Sequence, residues 1–374
     1  MKIAIIGKGS SALFTAMVCL NRGHSVDIYF DPEKPNFQIA ESTTPIISNL
    51  MYDTFGLSIG DMINDGVCSL KMGAKFIKWG KQEEFHHTFH ENNISCHFDP
   101  EEFNLYVTKL LSNKGVEFYP KPFDEYYEVN DQIIINDRFY DFMISCAGKT
   151  SDDGYYDFGF DTVNYGYIYT KNEVSKDSFY TVHRATEHGW QAELPFPNKN
   201  ITRCGYFFDD TITSKEEVEK LFENTSGKFS KWKPKYYKKL IQNKYEAYNG
   251  NKLLFLEPIH ALSLHYYVMF ADKICDFLEV KSPDALFSIN EFYREKLVDI
   301  QLSLAWHYRY GSQYRSNFWD SMQKKAEKVL KLFPQYNQDS MNEKYFYNKN
   351  LINIGCFDSS DYRRVHQGMT GEKL

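Results

Sequence analysis

The chain opens with a short arrangement that could hold a phosphate. Gly7, Gly9 and Ala12 stand in the run GKGSSA, directly after the β-branched stretch KIAII (2–6) and directly before a helix-like stretch from Leu13 to about Arg22. Glycine at 7 permits a tight strand-to-helix turn, glycine at 9 lets a pyrophosphate approach the backbone, and Ala12 keeps the third position small. Ser10 opens the helix, whose free N–H groups and positive dipole end favour an anion. The next strand-like run, HSVDIYF, leads into Asp31, placed to accept hydrogen bonds from an adenosine ribose. A later run, YDFMISCAG (140–148), ends on Gly148, as expected of a strand returning beside the first. Only one such fingerprint is present, so one dinucleotide is expected, and its reduction is expected to happen elsewhere.

Other residues with chemical potential are less decisive by themselves. His86, His87 and His90 invite a metal reading because histidines four apart on a helix can share an ion, but no third ligand follows at a characteristic spacing. No metal site is expected. Lys71 and Lys75, in SLKMGAKFIKW (69–79), would share a face if that segment were one strand. Trp190 sits in HGWQAELP (188–195), far in sequence from the phosphate-binding turn.

These groups need a scaffold, and the composition supplies one. With 374 residues and 43% apolar content the chain can bury a substantial core, as one large unit or two joined ones. A net charge of −7 disfavours a phosphate-backbone binder, so nucleic acid is not an expected partner. Seven scattered cysteines without a CxxC pair suggest a reducing, cytoplasmic setting rather than a disulfide framework. No run approaches the roughly 18 to 20 apolar residues of a membrane span. The pattern is α/β at the start. Helices are expected over 99–118, with Gly115 as a stop, and over 213–222. After about 285 the pattern becomes helical, and the final dozen residues (YRRVHQGMTGEK) are expected to fray. A core over 1–285 and a helical part over 286–374, forming one compact unit, is the expected division.

Several of these segments converge. GKGSSA, AESTTP (40–45), SLKMGAKFIKW, FHHTF (85–89), GWQAELP (189–195) and LFLEPIHALSL (254–264) occur in the order and approximate spacing of the motifs of flavin-dependent tryptophan halogenases. The family counterparts are GxGxxG, GEATIP, FKxAIKF, FYHLF, GWxWxIP and FLEPLESTGI. The chain therefore resembles a compact member of that family, over nearly its whole length.

The resemblance implies a Rossmann-like fold of the FAD-binding monooxygenase and halogenase type, with a mixed sheet and a helical C-terminal part. It implies FAD, delivered reduced by a separate flavin reductase, together with oxygen and a halide, and an electron-rich indole or phenol as substrate. In the family a flavin hydroperoxide oxidises the halide to hypohalous acid, which a lysine guides to the ring. Lys71 matches that lysine. Ala40, Glu41, Ser42, Thr44, Pro45, Asn251 and Pro258 match flavin-contacting segments, in addition to Gly7, Gly9, Ser10, Ala12, Asp31 and Gly148. His87, Phe89, Phe318 and Trp319 match the aromatic substrate pocket. Trp190 matches the first tryptophan of the segment that separates flavin from substrate.

The departures are specific. His260 stands where the family has a glutamate beside the lysine, and histidine can relay a proton in its place. Leu262 and Ser263 replace the Thr-Gly step whose amides hold the halide. Ala192 replaces the second tryptophan of the separating segment. Two other readings follow from these changes: a flavin monooxygenase that inserts oxygen, and a flavin-binding protein without catalysis. The sequence leaves oligomeric state open, a dimer or higher assembly included.

Overall fold

A computed structural model describes residues 1–34, 41–89, 93–148, 154–157, 159–255, 257–259, 262–332 and 359–372. The chain divides into two units, each assembled from three separate segments. The first comprises Met1–Cys68, Phe98–Tyr156 and Lys235–Glu295; the second comprises Ser69–His97, Asp157–Pro234 and Lys296–Leu374.

The first unit is built on a six-stranded sheet. Its strands run in the order 241–243, 246–248, 142–145, 2–6, 25–29 and 117–119. Lys2–Ile6 lies parallel to both Ser25–Tyr29 and Phe142–Ser145, and only the 241–243 edge strand is antiparallel. The central strand is apolar from Ile3 to Ile6 because helices or loops cover both faces of a parallel sheet. Helix Ser10–Asn21 follows it and is buried along most of its length. The expected α/β Rossmann-like class is therefore the observed one. The amphipathic helix expected over 99–118 spans Pro100–Asn113, with Asp99 capping Glu101 N at 3.1 Å and Gly115 in the left-handed region just beyond its end. Two Asn-Asp turns, 130–131 and 136–137, have positive φ at both residues and close the hairpins of a three-stranded sheet over 127–140.

The second unit is dominated by a seven-stranded sheet, ordered 227–231, 165–171, 201–208, 189–196, 180–186, 73–77 and 84–88. All neighbours are antiparallel except 73–77 against 180–186. The helix expected over 213–222 is Lys215–Leu221, with a complete capping box between Ser214 and Glu217. Helices Pro283–Arg309 and Asn317–Leu332 confirm the helical reading after 285.

The structure decides two conditional readings and corrects one expectation. The segment 69–79 is not one strand: it divides into Cys68–Lys71 and Gly73–Ile77. Gly73 adopts φ +153°, and a Cβ there would collide with the His87 carbonyl, so Lys71 and Lys75 lie on separate strands. Phe85 to Thr88 of FHHTF lie in strand Glu84–Thr88, so the helical i, i+4 spacing that a shared ion would need does not apply to His86 and His87. His90 falls outside the described residues.

The corrected expectation concerns the C-terminus, where Ser359–Thr370 is a helix instead of a frayed tail. Val365 and Met369 are buried, the Arg364 guanidinium donates to the Thr88 carbonyl at 2.7 Å, and Gly368 sits so close to Phe85 that no side chain would fit. Short apolar spacing in a polar tail concealed this docking. Met369→Ala should lower the stability to urea unfolding by about 2 to 4 kcal/mol; a change within the range of a surface substitution contradicts the docking.

Candidate functional site

The first unit presents a site suited to a dinucleotide phosphate. Gly7 is at φ +120°, and a Cβ there would meet the Cys146 carbonyl carbon and oxygen at 3.1 Å, so the turn requires glycine. Gly9 is the N-cap of helix Ser10–Asn21, and a Cβ added to it would meet nothing within 4 Å. That helix carries no side-chain cap and no acidic residue in its first turn, which leaves its leading N–H groups for an anion. Ala12 is fully buried, keeping the helix close to its surroundings. These observations fit the pyrophosphate of FAD.

Around this turn, the predicted residues come together in part. Ser10 Oγ lies 3.1 Å from both Glu41 Oε1 and Asn104 Oδ1. Burial raises the Glu41 carboxyl to about 7, and the hydrogen bond that the Ser10 hydroxyl donates to it acts in the opposite direction. Ser42 is buried in the short strand Glu41–Ser42. Thr44 and Pro45 begin helix Pro45–Phe55, and Thr44 Oγ1 lies 3.0 Å from His265 Nδ1. Burial lowers His265 to about 4. Asp31 follows the second strand, which ends at Tyr29, and its carboxylate accepts from Glu33 N at 3.0 Å. Gly148 is left-handed at φ +79°. Asn251 Oδ1 lies 2.8 Å from the Tyr267 hydroxyl, while Pro258 belongs to the short loop that precedes the next helix. Leu262 and Ser263 are the first two residues of helix Leu262–Val280, which has no acidic residue in its first turn. Ala40 and His260 lie outside the described residues.

The second unit holds Lys71 in an aromatic and histidine-rich setting. Lys71 ends its strand only 3% exposed, with its ammonium 5.3 Å from the centroid of the Phe89 ring. His97 and His183, which no sequence motif marks, both feel the Lys71 charge. Burial, then Lys71, then His307 lower His183 to about 3, and the ring stacks on Phe76 at 5.0 Å. His307 is likewise lowered to about 3 by burial, with Nδ1 2.6 Å from the Ser303 carbonyl. Both imidazoles are therefore neutral near pH 7. Lys75 is distinct: it pairs with Glu84 at 2.9 Å and Asp177 at 3.2 Å, a structural role.

Trp190, Phe318 and Trp319 are brought together around Trp79, a tryptophan that the motifs do not single out. Trp79 lies 5.8 Å from Trp190 and 5.0 Å from Trp319, and Phe318 meets Trp319 edge-on at 5.2 Å. The Trp79 and Trp319 indoles donate to the carbonyls of His307 and Thr186 at 2.6 and 2.7 Å. The Trp190 Nε1 is buried without a hydrogen-bond partner among the described residues. Ala192 pairs directly with His183, so the imidazole adjoins the position where the resembling family has a second tryptophan. His87 is buried with Nε2 3.0 Å from Asp361 Oδ1 in the C-terminal helix. Its bond spans 274 residues, which no local pattern could reveal. No group of metal-ligating side chains occurs among the described residues.

A model of the tryptophan halogenase family matches residues 2–177 and 167–369. The chain belongs to that family. It is thus an enzyme of the flavin-dependent halogenase class, a family that uses FAD, oxygen and halide on aromatic substrates. Its fold is similar to a tryptophan halogenase from Shewanella frigidimarina, at a TM-score of 0.81 and 16% identity over 99% of this chain and 88% of that one. A tryptophan 6-halogenase from Streptomyces toxytricini gives 0.82 and 13% over 100% and 91%. BrvH, a flavin-dependent halogenase from Brevundimonas sp. BAL3, gives 0.79 and 13% over 98% and 89%. A comparison with curated protein sequences gives no match. No helix among the described residues is long and apolar enough to cross a membrane.

The neutral histidines have a measurable consequence. Unfolded, His183 takes up a proton below its ordinary pKa near 6.5; folded, it resists until about 3. The unfolded state then binds more protons, so this group's contribution to stability falls as pH drops through that window. His183→Phe should flatten the acid limb of stability against pH by up to about 1.4 kcal/mol per pH unit, measured by urea unfolding between pH 6 and pH 4.5. An unchanged slope contradicts a neutral, buried His183.

Proposed function

We propose that this enzyme uses FADH2, oxygen and a halide to halogenate an electron-rich aromatic of the indole or phenol type, with Lys71 delivering the electrophile. The observation that carries the reading is Lys71 itself: a lysine in the family segment, 3% exposed, against an aromatic ring and near enough to His97 and His183 for both to feel its charge. A lysine in this position can donate a hydrogen bond to hypohalous acid or, as the amine, take the halogen.

Gly7, Gly9, Ser10 and Ala12 would hold the FAD pyrophosphate, and Asp31 its ribose. Glu41, Ser42, Thr44, Pro45, Gly148, Asn251 and Pro258 would complete the flavin contacts. Bound reduced flavin supplies, with oxygen and halide, the hypohalous acid. The first amides of helix Leu262–Val280 would hold the halide, since a helix start attracts an anion. Phe89 and His87 would flank the substrate with Phe318 and Trp319, and Trp190 would keep the ring from the flavin. Flat aromatic faces orient a ring without occupying the carbon that reacts. A separate reductase supplies the reduced flavin, and a cytoplasmic location suits the free cysteines, all six described ones being buried.

The test is a panel of indoles and phenols incubated with the protein, FAD, a flavin reductase and chloride, bromide or iodide, read by mass spectrometry. Halogenated product is expected, with bromide and iodide preferred to chloride in competition because they are more readily oxidised. A clear chloride preference contradicts the halide assignment, and halide-independent oxygenated product identifies a monooxygenase instead.

A further inference from the structure

His87 is tied to a part of the chain that no motif reaches. Residues paired directly across neighbouring strands point to the same face, and two such rows, His87–Ala74–Thr181 and Phe85–Phe76–His183, cross strands Glu84–Thr88, Gly73–Ile77 and Tyr180–Thr186. His87 and Phe85 therefore share the face on which the Phe76 ring stacks with His183 at 5.0 Å and with His307 at 6.1 Å. Helix Ser359–Thr370 packs on that face, with Gly368 against Phe85 and the Asp361 carboxylate against His87.

Both members of the pair are buried, and His87 Nε2 lies 3.0 Å from Asp361 Oδ1. An ionised carboxylate only accepts, so Nε2 is the donor, which fixes the tautomer and the rotation of the imidazole. Arg364, one turn along the helix, places its guanidinium 3.8 Å from the same carboxylate oxygen and offsets its charge. The helix has other attachments: the Arg364 guanidinium donates to the Thr88 carbonyl at 2.7 Å, Lys81 N donates to the Met369 carbonyl at 2.7 Å, and Val365 and Met369 are buried. Burying a carboxylate is a costly way to dock a helix that these contacts already hold.

We infer that Asp361 is a positioning residue for the aromatic substrate, holding the His87 imidazole at the angle at which it meets the substrate ring. The inference rests on the reading that His87 flanks the substrate, and it makes the C-terminal helix a part of that pocket. An imidazole locked by one hydrogen bond presents one fixed face. Without the acceptor the imidazole turns about its bond to the chain, and the substrate ring is then presented in more than one orientation. The bond acts on affinity and regiochemistry, and no proton is transferred in this role.

The experiment is calorimetric binding of indole, with phenol as a second probe, to the flavin-free protein and its variants. Asp361→Leu removes the acceptor at similar size and should weaken binding roughly tenfold. Asp361→Asn, whose amide oxygen still accepts from Nε2, should stay within about twofold of the wild type. In His87→Phe, whose ring needs no acceptor, adding Asp361→Leu should cost no further affinity, because a residue that acts through His87 has nothing left to act on. Asp361→Ala is the second acceptor-free variant, and near-UV circular dichroism selects the folded ones. In turnover, the folded acceptor-free variants should raise KM more than they lower kcat and give mixed regioisomers. Wild-type affinity in those variants, an equal loss in the His87→Phe background, or no binding of either probe to the wild type overturns the proposal. Binding needs neither flavin nor halide, so a failed halogenation panel overturns the proposed reaction and leaves this role to be decided by the binding data.

Discussion

An ε-amino group held out of water is the constraint on which the second unit is organised. A lysine 3% exposed is ordinarily costly to a fold, because a buried charge loses its water. Phe89 gives it the negative face of a ring, and His97 and His183 remain neutral around it. Burial is also the first cause that suppresses the charge of both histidines.

The scaffold of the second unit is packed with aromatic rings. Trp79 links Trp190 and Trp319, and Phe76 stacks on Phe85 and His183, so rigid rings instead of flexible side chains fill this part of the unit. The polar ends of Trp79 and Trp319 are satisfied by backbone carbonyls.

Legibility followed sequence distance. The strand–turn–helix at residues 2–21 was readable because glycine spacing, a β-branched run and a helix-forming stretch are local signals, and the observed turn keeps Gly7 at positive φ. The split at Gly73 was harder, since the same apolar alternation continues through both strands and only the close approach of the His87 carbonyl shows why the chain must turn there. His97 and His183 carried no motif, and Trp79 ends one without being singled out by it; their placement comes from register across strands remote in sequence. The C-terminal helix was missed because its buried side consists of a few residues, Val365 and Met369 among them, in an otherwise polar run. Motif resemblance supplied Lys71 and its role, and physical reasoning on the isolated residue would have left it as a surface charge.

The central claim is that Lys71 acts after the flavin has done its work. It is tested most directly in Lys71→Ala, assayed with a moderately reactive indole so that freely diffusing hypohalous acid does not substitute for the lysine. FAD affinity and oxygen consumption by the reduced flavin should match the wild type while halogenated product falls by roughly 10²-fold or more, about 3 kcal/mol of barrier. Regioselective turnover near the wild-type rate in Lys71→Ala would contradict the account.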